Sequence, residues 1–358
     1  MLLVITGAGS SFDSSASHPP TGSASNDAVE NRPPLANQLF DERPLFLAAM
    51  DKFHQMKPLV TGLRIRTNEK TVEEVLGEIS SRADTYTRGQ TQLAAVQYYL
   101  QDSIWNTDRA WLSHHRGITN QTVLVDQIDK SKAASEGVLF VTFNYDLLLE
   151  DALKTVGINI ASMSDYIKSD QYKLFKLHGS VNWVHRIQSS YFPGEDGYYE
   201  ERARTIIEQF PTLQQHSSKA FEPIPHLAAN TPAETGFLPA IAIPLNKKQT
   251  FECPNEHLTE LVAFLPKVTK ILVVGWKGAE DHFLTLLRKN LSPDVPILIV
   301  NGSVGEAEKA QVAIRQGGMY DFLSALSIDL LPIRRTEQGC SISSTQRFGR
   351  VHKISIVL

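Results

Sequence analysis

The chain has 358 residues, 42% of them hydrophobic and 21% charged, and its formal net charge is −4. This length exceeds what one domain commonly needs, so we expect a large core with added parts. The charge excludes the overall basic character typical of nucleic-acid binders, and no apolar run reaches the ~20 residues that span a bilayer. Two distant cysteines, Cys253 and Cys340, exclude a disulfide framework. Together with an amino terminus that lacks a secretion leader, they predict a location in the reducing cytoplasm and no membrane contact.

The first predicted element is a short strand, residues 2–5, which leads into a glycine turn, Gly-Ala-Gly-Ser-Ser, at residues 7–11. Glycines after a strand let the backbone approach a pyrophosphate, whose charge is met by amide groups at a helix start. Phe12 stands where the usual fingerprint has a third glycine, and we expect no helix directly after the turn. Taken alone, the pattern fits a dinucleotide turn or a simple strand-to-loop turn.

Residues 13–34 are rich in Ser, Pro, Asn and Asp, which predicts a mobile loop. This loop could be a gate over a binding site or plain solvent-exposed chain. Residues 45–134 then show apolar side chains at helical spacing, and we expect a helical insertion packed against the sheet. Its pair His114 and His115, followed by Arg116 and Gly117, predicts a helix end rather than a metal site, because cations favour the helix dipole there.

The second motif follows a continuous apolar run, Val138 to Thr142, which is typical of a strand buried on both faces. The run ends in Asn144-Tyr145-Asp146, before a helical pattern. Asp146 suits a helix N-cap, and one cap residue is enough, so Asn144 is a candidate for another role.

The third motif is a strand that ends in His178-Gly179-Ser180. His178 could be a polar residue satisfied by neighbouring backbone. The alternative is a general base, because an imidazole has an unperturbed pKa of about 6.5.

The last third of the chain returns to alternating strands and helices. Strands are predicted at residues 270–274 and 295–300, with a helix at 281–291 between them, a helix at 303–316 and an edge strand at 351–358. This alternation is typical of parallel crossover units. Because parallel strands bring their carboxyl ends to one edge, we expect one pocket to collect all three motifs.

In this order the three motifs resemble those of the Sir2 (sirtuin) superfamily, in particular the bacterial Sir2-like domains that consume NAD in antiphage defence. Sirtuins carry Gly-Ala-Gly-x-Ser after the first strand, Thr-x-Asn-x-Asp after a later one, and a catalytic His before Gly. The strand ends at Gly275 and Asn301 extend the similarity over most of the chain. Trp276 and Lys277 replace the Thr-Ser pair that the family has after this glycine.

The resemblance implies an α/β fold, a Rossmann-like parallel sheet with a large helical insertion. We assign residues 1–44 to the first strand, phosphate turn and loop, 45–134 to the insertion, and 135–358 to the rest of the sheet domain, with an irregular insertion at about 184–235. Deacylases of the family hold zinc with two Cys-x-x-Cys pairs. Two cysteines cannot supply these, so we expect no zinc module and no metal.

The resemblance also implies an activity, the cleavage of NAD+ to nicotinamide and ADP-ribose by an NAD+ glycohydrolase. Asn144 would hold the ribose or the attacking water, and His178 would act as the base. The other residues expected to bind NAD+ are Gly7, Ala8, Gly9, Ser10, Ser11, Asp146, Gly275 and Asn301. A cyclase outcome, with an adenine nitrogen as acceptor, stays open.

Two other functions stay open beside the glycohydrolase. One is a protein deacylase or ADP-ribosyltransferase that uses residues 184–235 as a substrate clamp, and the other is a non-catalytic sensor of NAD or ADP-ribose. For the glycohydrolase we expect control by homo-oligomerisation or by a partner encoded nearby, such as an ATPase, an Argonaute-like protein or a nucleotide-processing protein. We expect no direct binding of nucleic acid.

Overall fold

A parallel sheet of six strands forms the centre of the fold, in the order β11-β10-β9-β1-β2-β3. The computed structural model describes residues 1–15, 17, 31–66, 71–83, 87–192, 197–225, 227, 230–244, 251–292, 295–316 and 323–324. The strands are β1 (Leu2–Thr6), β2 (Val138–Thr142), β3 (Tyr172–Lys176), β4 (Gly179–Gln188), β5 (Gly197–Tyr198), β6 (Glu222–Pro223), β7 (Asn230–Thr231), β8 (Thr235–Ile241), β9 (Lys270–Val274), β10 (Ile297–Val300) and β11 (Leu323–Ser324).

Helices connect and surround these strands. They are α1 (Ala8–Phe12), α2 (Pro44–Lys52), α3 (Lys57–Arg66), α4 (Val72–Ala83), α5 (Thr87–His114), α6 (Asn120–Ser131), α7 (Leu148–Lys154), α8 (Tyr199–Glu208), α9 (Phe210–Leu213), α10 (Asn255–Phe264), α11 (Asp281–Asn290) and α12 (Val304–Gln316). Short 3₁₀ turns lie at Ala36–Gln38, His54–Met56, Met163–Tyr166, Gln214–His216 and Leu265–Lys267. The parallel α/β sheet predicted from the sequence is confirmed.

The central strands of the sheet are apolar because both of their faces are covered. All five residues of β2 are buried, as its continuous run of Val, Leu and Phe predicts. Strand β1 pairs in parallel with β2 on one side and with β9 on the other. From β1 the strand order runs through β2 to β3 on one side, and from β9 it runs through β10 to β11 on the other side. The gap between β1 and β9 is therefore the switch point of the sheet.

A second, antiparallel sheet in the order β6-β4-β8 follows directly after β3. Strands β4 and β8 pair from Gln188↔Thr235 to Gly179↔Ile241, with an irregularity between Gly179 and Val184. The region 184–235 is therefore less irregular than expected, because it begins inside β4, contains α8 and ends at β8.

The buried apolar side chains form two clusters. The sheet cluster combines the parallel strands with α6, α7, α10, α11 and α12, and it includes Val125, Phe140 and Trp183. The insertion cluster combines α2 to α5 with α8 and the antiparallel sheet, and it includes Tyr98 and Val181. This corrects the expectation that the insertion packs against the parallel sheet, because in the insertion only α6 contributes buried residues to the sheet cluster.

Three local expectations have different outcomes. The prediction that no helix directly follows the glycine turn was wrong, because α1 begins at Ala8 and covers five residues. The helix end at His114 is confirmed: Arg116 and Gly117 have φ of 53° and 75°, and the Gly117 amide donates to the Leu112 carbonyl at 2.8 Å. The edge strand expected at 351–358 lies outside the described residues, as do residues 16 and 18–30 of the loop.

No helix in the described part of the chain is both long and apolar enough to cross a membrane. Within the same residues there is no group of three or more His, Cys, Asp or Glu side chains that could hold a metal ion.

Candidate functional site

The predicted motifs lie along one edge of the parallel sheet. Strand pairing aligns Thr6 with Thr142 and Val274, and Thr142 with Lys176, so that these strands end at the same level. Two backbone bonds extend this alignment beyond the strands, from Phe143 N to the Thr6 oxygen at 3.2 Å and from Leu177 N to the Thr142 oxygen at 3.1 Å. Each motif therefore begins where its strand ends, at the edge where open α/β sheets bind ligands.

Three glycines bring two turns into contact at the switch point. A Cβ added to Gly275 would lie 2.2 Å from the Ser10 nitrogen, and one added to Gly7 would lie 2.7 Å from the Gly275 oxygen. The Gly7 amide donates to the Val274 carbonyl at 3.1 Å, and the Gly9 amide donates to the Gly275 carbonyl at 3.0 Å. Gly7, Gly9 and Gly275 thus pack backbone against backbone, and Ala8 starts α1 beside them.

Asn144 is held by the glycine turn. Its Nδ2 atom donates to the Gly7 carbonyl at 2.9 Å, to Ser11 Oγ at 2.8 Å and to Ser10 Oγ at 3.2 Å. Ser11 is buried, and its hydroxyl donates to Asp146 Oδ2 at 2.6 Å. One hydroxyl therefore links Asn144 and Asp146 to the first motif, across more than 130 residues of sequence.

Asp146 bonds both the start of α7 and the glycine turn. Its Oδ1 accepts from the Leu148 amide at 3.2 Å, but the N-cap residue of α7 is Leu147, so the N-cap predicted at Asp146 was wrong. Its Oδ2 is the oxygen held by Ser11. The carboxylate is therefore fixed at both oxygens.

Lys176 supports the same turn from the buried side, and sequence analysis gave it no role. Its ammonium group donates to the Asp146 carbonyl and forms an ion pair with Glu150 Oε1 at 3.0 Å. Its side chain is only 1% exposed. Burial raises the pKa of Glu150, and the nearby Lys176 charge opposes that rise. A lysine at the end of a predicted internal strand was the available signal, because a buried lysine needs partners.

Asp108 reaches the turn from α5 and was also missed. Its Oδ2 accepts from the Leu147 amide at 3.2 Å and from Arg109 Nη2 at 2.6 Å. Burial raises the pKa of Asp108 to about 7; the Arg109 charge opposes this rise and Asp146 adds to it. Sequence periodicity could not reveal this contact, because the two partners lie 39 residues apart.

His178 stands between β3 and β4 and is 8% exposed. Its ring lies 4.9 Å from the Phe143 ring and 6.5 Å from the Tyr145 ring, measured between centroids. Its carbonyl accepts from the Ala242 amide at 3.0 Å. Gly179 follows with φ of 80°, and a Cβ there would lie 2.0 Å from the Ala240 oxygen, so the chain can leave His178 in this direction only with glycine.

Trp276 follows Gly275 and packs into the core. Its side chain is buried and stacks on Phe143, with centroids 5.4 Å apart and planes 11° apart. Phe143 in turn contacts His178, so Trp276 supports the site from within the core.

Asn301 lies further along the edge, at the end of β10. Its Nδ2 donates to the Glu306 carbonyl at 3.1 Å, and the adjacent Val300 carbonyl accepts from the Gly275 amide at 2.9 Å. The end of β10 therefore contacts Gly275 through Val300. The described hydrogen bonds of Asn301 itself do not reach Asn144.

A family model for the SIR2-like domain matches residues 138–296. Over these residues the chain is similar to SIR2-like domains. The match spans Asn144, Asp146, His178 and Gly275, whereas the glycine turn after β1, the helices of residues 44–131 and Asn301 lie outside it. This similarity supports a family of NAD-dependent enzymes. The Sir2-like character predicted from the motifs is thus confirmed over residues 138–296.

Solved structures that resemble the chain include three Sir2 complexes. A Sir2 homolog bound to NAD is 12% identical, with 88% of each chain covered and a TM-score of 0.34. Sir2Tm bound to a propionylated peptide is 16% identical, with 89% of this chain and 94% of that chain covered and a TM-score of 0.31. Sir2 with an inhibitor, 2′-O-acetyl-ADP-ribose and a deacetylated p53 peptide is 15% identical, with coverages of 89% and 95% and a TM-score of 0.28. No curated protein sequence matches the chain.

Proposed function

We propose that this chain is an NAD+ glycohydrolase that uses water to break the bond between nicotinamide and ribose. The observation that carries the proposal is the position of Asn144 and His178, which follow the neighbouring strands β2 and β3 of a SIR2-like domain. Asn144 is in addition held by the glycine turn. In this reaction the bonding electron pair leaves with nicotinamide, and the ribose C1′ takes the oxygen of water. One proton is released, so the products are nicotinamide, ADP-ribose and H⁺.

Asn144 would orient the water or a ribose hydroxyl through its carbonyl oxygen. Its Nδ2 is already engaged by Gly7, Ser10 and Ser11. None of the described residues donates to its Oδ1, which leaves an acceptor for an O–H group of substrate or water. A fixed acceptor of this kind lowers the entropy cost of bringing the nucleophile to C1′.

His178 would take the proton that the attacking water or a ribose hydroxyl loses. An imidazole suits proton transfer near neutral pH. The Phe143 and Tyr145 rings beside it give the site apolar walls, which strengthen electrostatic interactions with the reacting sugar. Asp146 would add a fixed negative charge at this edge, favourable to the positive charge that develops on the ribose.

The NAD+ phosphates would bind over the glycine turn, Gly7 to Ser11, and Gly275, with Asn301 toward the adenosine. The Gly7 and Gly9 amides already donate to backbone carbonyls. The role of these glycines would therefore be close approach of the ligand to the backbone rather than direct donation. The assignment of all these residues as NAD+ contacts is part of the proposal.

An enzyme that empties the cellular NAD+ pool needs restraint. We therefore also propose that activity depends on oligomerisation or on a partner protein, as in the antiphage systems that the motifs resemble. The cytoplasm would be its place of action.

The experiment is nicotinamide release from NAD+ by the full chain, alone and with the products of neighbouring genes, with product analysis to separate ADP-ribose from its cyclic form. Asn144→Ala and His178→Ala should each lower the rate by about 10²-fold or more, the range of a lost acid–base or positioning group. Asn106→Ala and His54→Ala are matched controls away from this edge, and they should stay within about twofold of the wild-type rate. NAD+ binding without nicotinamide release in every mixture would overturn the proposal and favour a sensor.

A further inference from the structure

The longest helix of the insertion, α5, touches all three segments that form the candidate site. Gln101 Nε2 donates to the Val181 carbonyl at 2.9 Å, just after the His-Gly motif. Asp108 accepts from the Leu147 amide, just after the Asn-Tyr-Asp motif. Trp111 Nε1 donates to Ser14 Oγ at 2.8 Å, just after the glycine turn.

These three residues lie on one face of the helix. Gln101 and Asp108 are seven residues apart, and Trp111 follows Asp108 by three, which are the spacings that share a helical face. All three side chains are buried. A single rigid element therefore carries one hydrogen bond to each motif, although the motifs are far apart in sequence.

Asp108 makes the contact that lies next to Asp146 in sequence. The Leu147 amide donates a hydrogen bond to Asp108, and the next amide, that of Leu148, donates to Asp146. Two carboxylates therefore accept hydrogen bonds from the start of α7. The Asp108 side chain is 1% exposed, and a buried carboxylate beside a second one is costly. Arg109 offsets part of that cost, because its Nη2 contacts both Asp108 and Asp151.

We propose that Asp108 is a positioning residue, through which α5 of the helical insertion fixes the Asn144–Asp146 turn for reaction. Its effect on catalysis rests on the proposed NAD+ cleavage. Its effect on the turn does not, because Asp108 accepts from the Leu147 amide directly after that turn. A movement of α5 would then displace Asp146 through the Leu147 amide, which follows Asp146 directly. The position of the insertion could therefore control the site.

The test compares Asp108→Ala and Asp108→Asn with Asp102→Asn in the full chain. Asp102 is a matched control: it lies on the same helix, burial likewise raises its pKa, and it pairs with Lys52 at 2.9 Å, away from the turn. Hydrogen exchange of residues 143–149 should be at least tenfold faster in Asp108→Ala than in the wild type. The increase should be smaller in Asp108→Asn, which keeps an acceptor for Leu147, and within twofold of wild type in Asp102→Asn.

Steady-state kinetics with NAD+ supply the second readout. Asp108→Ala should lower kcat at least tenfold and change KM less than threefold, because the turn is misplaced while most NAD+ contacts remain. Asp108→Asn is nearly isosteric and serves if the alanine variant does not fold. Unchanged exchange at residues 143–149 in folded Asp108 variants, or an equal effect of Asp102→Asn, would overturn the proposal. If the wild type does not cleave NAD+, the proposed function fails and the exchange result alone decides the role of Asp108.

Discussion

Gly275 is the residue at which the turn after β9 meets the turn after β1. Its φ of 61° lies in the left-handed region, and its Cα faces the Gly9 and Ser10 backbone. Both features require glycine, the first through backbone strain and the second through lack of space. Gly275 is therefore a structural requirement of the switch point, whatever its contact with NAD+.

We predict that Gly275→Ala is strongly destabilising. The left-handed backbone costs about 1–2 kcal/mol for alanine, and overpacking adds about 1–3 kcal/mol. Gly157→Ala is the matched control, because Gly157 has φ of 82° and an added Cβ there would meet no described atom within 4 Å. It should lose the backbone part alone. Urea unfolding of both variants measures the difference, and equal losses would contradict the predicted clash at Gly275.

At the scale of elements, five of the six parallel strands were predictable, most of them as a short apolar run that ends at a polar or glycine residue, whereas β11 was not predicted. Strand β2 and the strands that end at His178 and Gly275 follow this rule. The antiparallel sheet was not predictable, because β8 contains Gly236 and Pro239 and lacks clear alternation. Pro239 is tolerated since β8 is an edge strand. Pairing of β8 with β4, some 50 residues earlier, leaves no local signal in the sequence.

The site was predictable to a similar degree. Asn144, Asp146 and His178 follow strands whose ends could be expected at one edge. Asp108 and Lys176 could not be assigned, because their roles depend on which buried backbone groups face them after folding. Trp276 shows the same limit: only the packed core reveals that it stacks on Phe143.

The segment beside His178 carries a pH-dependent contact between elements. Glu252 pairs with His178 in an isolated parallel bridge, and its side chain accepts from His185 of β4 at 3.0 Å. Burial lowers the pKa of His185, but the hydrogen bond to Glu252 and the Ala220 carbonyl outweigh it, so the pKa is raised overall. Protonated His185 thus stabilises the fold. This contribution is complete below the ordinary histidine pKa of about 6.5 and is lost as pH rises through the raised value.

We therefore predict that His185→Gln lowers the Tm more at pH 5.5 than at pH 8.5. Glutamine can replace the neutral hydrogen bonds but not the ion pair with Glu252. Thermal unfolding at the two pH values measures the effect, and His54→Gln controls for loss of an exposed histidine. A difference in Tm that is the same at both pH values would show that the charge on His185 does not contribute.

At the scale of the whole molecule, two apolar clusters are joined by shared elements. Strand β4 gives Trp183 to the sheet cluster and Val181 to the insertion cluster. Helix α5 packs in the insertion cluster through Trp105 and reaches the Asn144–Asp146 turn through Asp108. Neither cluster can therefore lose its packing without exposing β4 or releasing the turn.

This coupling predicts one cooperative unfolding transition for both clusters. Labelling with fluorotryptophan gives a separate probe in each cluster. Trp105 reports on the insertion cluster, and Trp183 and Trp276 report on the sheet cluster. In a urea titration followed by fluorine NMR, their signals should change at the same midpoint. NAD+ at 100 times its Kd should raise the free energy of unfolding by about 2.7 kcal/mol. The three urea midpoints should then rise together, because a ligand of one site stabilises every element that unfolds with that site. A Trp105 signal that unfolds first, or that ignores NAD+, would mean that the insertion is an independent unit and that α5 does not transmit its state to the site.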